Sequence, residues 1–92
     1  MAASSAHTPD DAALREQARG AILSGKLPSR NPDRTLGGPG SQQDCAVCGE
    51  RVQRHQMELE IEFKQHGPSW VPIRYHFHPR CFAVWEIERT KH

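Results

Sequence analysis

Between Met57 and Phe63 the chain alternates: Met57, Leu59, Ile61 and Phe63 are apolar, with Glu58, Glu60 and Glu62 between them. A period of two places the apolar set on one face of a strand. Residues 64–69 read as a turn. Val71, Ile73, Tyr75 and Phe77 then alternate with Pro72, Arg74 and His76. This second strand also has one apolar face, and Pro72 puts it at an edge or gives it a break. The two strands are expected to pair as an antiparallel hairpin. Glu58, Glu60 and Glu62 would then share its outer face with Arg74 and His76, where opposite charges meet. The stretch Pro79 to Arg89 reads as a helix with Pro79 in its first turn. Phe82 and Trp85, three apart, would face the hairpin together.

The N-terminal part follows a different period. Leu14, Ala18, Ala21 and Ile22 recur at helical spacing. Thr8 is the expected N-cap, Pro9 the first helical residue, and Asp10 and Asp11 suit the positive end of the helix dipole. Gly25 marks the stop. A helix over 9–25 follows, behind a disordered tail at 1–8. Its apolar stripe is too thin to hold it alone, so it is expected to dock, either on the rest of this chain or on a partner. Residues 26–44 carry Pro28, Pro32, Gly37, Gly38, Pro39 and Gly40. They read as a flexible Gly/Pro linker, with Leu36 as a candidate anchor.

Composition makes the stability problem sharper. Only 36% of the 92 residues are hydrophobic, and the chain has seven Gly and seven Pro. One small domain of this kind has a marginal core and needs a staple or a partner. The net charge of +1, from 12 basic and 11 acidic residues spread along the chain, leaves no basic run as a nucleic-acid footprint. The N-terminus has no basic or apolar segment of a signal peptide, and no apolar run is long enough to span a membrane. A reducing, cytoplasmic setting is the expectation.

The staple is written in the cysteines. Their number, three, is odd, so disulfides would leave one thiol over. Cys45-Ala46-Val47-Cys48-Gly49 has the spacing of a tight turn that converges two thiolates, and Gly49 lets the backbone turn back. His78-Pro79-Arg80-Cys81 repeats the spacing at a helix start. The 29 residues between the pairs make room for the hairpin. Cys45, Cys48, His78 and Cys81 are therefore the expected ligands of one structural zinc ion (Zn). Two other readings compete: buried thiols beside a surface histidine, and a redox pair at Cys45 and Cys48. His76, two residues before His78, is the alternative fourth ligand.

The whole predicts an α+β chain: N-terminal helix, linker, then a zinc-binding ββα domain over 45–92 with zinc knuckle, antiparallel β-hairpin and C-terminal helix. That order is similar to a treble-clef zinc finger. The set Leu14-Arg15-Glu16, Gly25-x-Leu27-Pro28, Gly38-Pro39-Gly40, Cys45-x-x-Cys48-Gly49, Glu58-x-Glu60 and His78-x-x-Cys81-Phe82-x-x-Trp85 resembles a group of short, uncharacterised bacterial proteins. The resemblance implies no activity, and fold-level likeness gives no function.

Four protein ligands leave no open metal position, and no nucleophile or phosphate-loop motif is present. The chain is expected to be no enzyme and to mediate protein interaction, with no small-molecule substrate and no membrane contact. The alternative is nucleic-acid binding through Arg51, Arg54, Lys64, Arg74, Arg80 and Arg89, with Trp70 and Tyr75 as stacking surfaces. A treble-clef nuclease using His76 is the third reading.

Overall fold

The computed structural model describes residues 10–65 and 71–91. The tail at 1–8, the expected cap at Thr8 and Pro9, and the centre of the 64–69 turn with Trp70 lie outside the described residues. Helix α1 spans Asp11–Leu23, strand β1 Arg34–Pro39, β2 Met57–Phe63, β3 Ile73–Phe77 and helix α2 Pro79–Arg89. The three strands form one antiparallel sheet in the order β1-β2-β3.

α1 starts two residues later than the capping pattern suggested. Asp10 is the N-cap, and its carboxylate accepts the Ala13 N–H at 2.8 Å. The helix stops where expected. Gly25 takes φ +83°, and its N–H and that of Leu27 donate to the Ile22 and Ala21 carbonyls. Leu27, not Leu36, is the anchor after the helix: Leu27 is buried, and Leu36 is 39% exposed.

The stretch 26–44, expected as a flexible linker, supplies β1. β1 pairs with β2 from Arg34↔Glu62 to Pro39↔Met57. The pairing then runs on past the strand. Gly40 N–H donates to Gln56 O, Gln42 N–H to Val52 O, and Val52 N–H to Gln43 O. Asp44 bridges Arg51, and Cys45 N–H donates to Glu50 O. Residues 34–63 thus make one long two-stranded ribbon with the Cys45–Gly49 turn at its tip. Gly40 is required by close approach. A Cβ there would stand 1.8 Å from the Gln53 carbonyl oxygen.

β2 and β3 pair as expected, from Leu59↔Phe77 to Phe63↔Ile73. The charged row forms on the outer face. Arg74 Nε lies 2.8 Å from Glu62 and 3.2 Å from Glu60, and His76 Nδ1 lies 2.8 Å from Glu58. The apolar row is only partly covered. Ile61, Phe63 and Phe77 are buried, whereas Met57, Val71 and Ile73 are 58%, 53% and 42% exposed. Met57 lies beyond the Leu59↔Phe77 pair and Val71 precedes β3, so both fall outside the β2–β3 pairing.

α2 ties the layers together. Trp85 is fully buried, with its ring 5.5 Å from Phe77 and 6.4 Å from Phe63, centroid to centroid. Its indole N–H donates to Pro28 O at 3.0 Å, which satisfies the polar edge that burial would otherwise strand. α1 docks on α2 in the same chain. Leu14 and Ala18 join the common core, and Arg15 and Arg19 each reach the buried Glu88 carboxylate at 3.2 Å. Arg80 pairs with Asp11 at 2.8 Å. The helix that was too weak alone is held by apolar burial and charge together.

Candidate metal centre

Two elements bring four donor atoms together. Cys45 and Cys48 come from the ribbon tip, His78 is the N-cap of α2, and Cys81 lies in its first turn. The tip folds back because Gly49 takes φ +81° and donates its N–H to Cys45 O at 3.0 Å. Ala46 N–H donates to His76 O at 2.8 Å, which fastens the tip to the end of β3. The Sγ atoms of Cys45, Cys48 and Cys81 and one ring nitrogen of His78 all lie within 4.8 Å of one another. All three cysteines are free thiols, Cys45 and Cys81 buried and Cys48 half-buried.

The histidine geometry is specific. His78 Nδ1 lies 3.5 Å from Cys48 Sγ and 4.0 Å from Cys81 Sγ. In a tetrahedral shell with bonds near 2.3 Å to sulfur and 2.0 Å to nitrogen, N···S edges are about 3.5 Å. The far nitrogen, Nε2, lies 3.2 Å from the Arg51 carbonyl oxygen. That carbonyl can only accept, so it fixes the proton on Nε2 and leaves the Nδ1 lone pair toward the thiols. Val47 N–H points at Cys45 Sγ, 3.4 Å away, and stabilises it as a thiolate.

Without a cation the thiols compete. The hydrogen bond from Cys81 is the main cause that takes Cys45 from the usual 9.0 down to about 4, against its burial. The same hydrogen bond, with burial, pushes Cys81 up, and burial pushes Cys48 up. One thiolate is stabilised by its neighbours remaining protonated. A divalent cation removes that conflict by accepting all three as thiolates. The donor set, the spacing and the orientation of His78 therefore fit a metal ion.

The structure brings His78 to the thiols and turns His76 elsewhere. The strand ends at Phe77, and the turn into α2 carries His78 away from the side that His76 faces. His76 faces Glu58, which is 5% exposed and also accepts the N–H and hydroxyl of Ser41 at 2.9 and 2.7 Å. Burial raises the Glu58 pKa, but the hydrogen bonds from His76 and Ser41 outweigh it and leave the group lowered. Glu58, Glu60 and His76 also offer donor atoms within 4.8 Å, but Glu60 already pairs with Arg74. We read this trio as an ion-pair network. The groups that sequence reasoning missed are backbone ones, the Arg51 carbonyl and the Val47 N–H. Their role follows from the turn at Gly49, and no side chain announces it.

Comparison with protein-family models, curated proteins and solved structures finds no match for this chain.

Proposed function

We propose that the Cys3His cluster of this small α+β domain holds a structural zinc in a treble-clef-like finger, and that the protein acts as a cytoplasmic interaction module and catalyses no reaction. The observation that carries this reading is the closed donor shell: three thiols and His78 Nδ1 converge, with the far side of His78 held by Arg51 O. Thiolate-rich closed shells select zinc and leave no position for a reactive water.

Three of the six cations offered for nucleic acid are engaged in ion pairs. Arg74 pairs with Glu60 and Glu62, Arg80 with Asp11, and Arg89 pairs with Glu86 while stacking on Trp85. Tyr75 packs edge-on against Phe63. These engagements favour a protein partner over a phosphate backbone. Titrating zinc-loaded protein with single- and double-stranded DNA and RNA at two salt concentrations tests this. No salt-sensitive binding is expected, and binding that weakens steeply with salt would replace the proposal with the nucleic-acid reading. Zinc-loaded and chelator-treated protein should melt at clearly different temperatures. Coincident melting curves would remove the structural role of the ion.

A further inference from the structure

Among the described elements, β1 packs against β2 alone. α2 lies over β2 and β3, and the strand order leaves the far edge of β1 open. Gly40 N–H donates to Gln56 O, two residues beyond the Gly38↔Glu58 pair, so the even-numbered residues of β1 direct their backbone toward β2. Hydrogen-bonding direction alternates along a strand. Thr35 and Gly37 therefore present N–H and C=O outward. Leu36, between them, shows its side chain on the outer face of the sheet at 39% exposure. An edge of this kind is a template for another strand.

The geometry points to a second copy of this chain, paired antiparallel through β1 with Leu36 facing its counterpart across a two-fold axis. This deepens the interaction reading by naming the partner, and it makes no use of the metal. The register is selected by the edge itself. Centred on Leu36, Thr35 meets Gly37 of the second copy twice, and the N–H and C=O groups of both residues are all used. Centred on Thr35, the pairing would need the Asp33 N–H, which already donates to Glu62 O at 2.9 Å. Centred on Gly37, it would set Pro39, which has no N–H, opposite Thr35.

Packing agrees with that register. Arg34, 63% exposed at its side chain, falls opposite Gly38 of the second copy. Gly38 has no side chain, so it leaves room for Arg34, and symmetry repeats this placement. On the inner face the row Tyr75, Ile61, Thr35 continues into Gly37, Leu59, Phe77 of the second copy. Two short strands bury less than the roughly 1,000 Å² of a durable interface, so the dimer is reversible and concentration-dependent.

Sedimentation equilibrium of the zinc-loaded full chain from about 10 μM to 1 mM tests this. The apparent mass should rise toward twice the monomer value, and Leu36→Lys, which sets like charges face to face, should stay at the monomer value. Register is tested by cross-linking. Facing residues of a non-hydrogen-bonded pair stand about 4.5 Å apart, within disulfide range. Leu36→Cys should give a covalent dimer on mild oxidation. Gly38→Cys, where a Cβ meets no atom within 4 Å, should not, because its counterpart is Arg34. A wild type that stays monomeric throughout overturns the inference, as does association that Leu36→Lys leaves unchanged or equal cross-linking of both cysteine variants. Zinc content and circular dichroism of each sample keep failure of this surface apart from failure of the metal site. A monomeric wild type that binds zinc ends the dimer and leaves the metal reading standing.

Discussion

The two ends of α2 solve the same problem by different means. At its start, His78 and Cys81 join Cys45 and Cys48, and a metal ion can fix the ribbon tip to the helix. At its end, Glu88 is fully buried and receives Arg15 and Arg19 from α1 and Lys91 from its own chain end. Trp85 lies between the two, packed on Phe63, Phe77 and Phe82. The first end can take a ligand from outside the chain, and the second is complete in itself. A domain with so small a core can thus spread its stability over a metal site, aromatic packing and buried charge.

The largest expected effect comes from the metal end. Cys81→Ser should remove on the order of 10 kcal/mol of metal-linked stability, since structural zinc sites couple binding to folding. Amide exchange should accelerate through the ribbon tip and the first turn of α2. If exchange there matches the zinc-loaded wild type, the comparison fails at its stronger side.

Trp85→Ala ranks second and should weaken both ends at once. Removing a fully buried aromatic costs about 3–5 kcal/mol, and a denaturant titration of the zinc-loaded protein reads it directly. A loss confined to α1 would place Trp85 outside the shared core.

Glu88→Gln should have a smaller effect, confined to the far end. It leaves two arginines facing a neutral amide, so α1 amides should exchange faster while the zinc stoichiometry stays unchanged. A simultaneous loss of metal would show that the two ends are one unit.

Acid should separate the ends in order. Metal binding requires deprotonated ligands, so added acid competes with the ion and the metal end opens first. Glu88 behaves differently. Burial raises its pKa, but Lys91 and Arg19 outweigh burial and hold it below the usual 4.5. A carboxylate lowered by folding stabilises the native state above its unfolded value, and that contribution is lost as pH falls through the lowered native value. Glu58 behaves in the same way. A pH series followed by NMR should lose signals of the ribbon tip before those of α1. The reverse order would contradict the assignment of metal to one end and ion pairs to the other.

Much of this was legible in the chain. The alternation in β2 and β3, the helix of α2 and the two Cys/His spacings all express contacts made by side chains, and side chains are what a sequence records. β1 was not legible. Thr35, Leu36, Gly37 and Gly38 bury no apolar face, and their structure comes from backbone pairing with β2, which leaves no period. Gly40 looked like flexibility and proves to be a point of close backbone contact. Met57, Val71 and Ile73 fit the apolar alternation but stay exposed, and Met57 and Val71 lie outside the β2–β3 pairing. The choice of His78 over His76 followed from its spacing to Cys81. What holds it, the Arg51 carbonyl, depends on the turn of the ribbon tip and has no side-chain signature.

Cobalt substitution tests the central claim most directly. Co²⁺ added to the reduced, metal-free full chain should bind one ion per chain and give the intense visible bands of a tetrahedral site with sulfur-to-metal charge transfer, and zinc should displace it. His78→Ala should alter the bands, and His76→Ala should leave them unchanged. Weak octahedral bands, or the same spectrum from a chain with all three cysteines replaced by serine, would contradict the Cys45, Cys48, His78 and Cys81 centre.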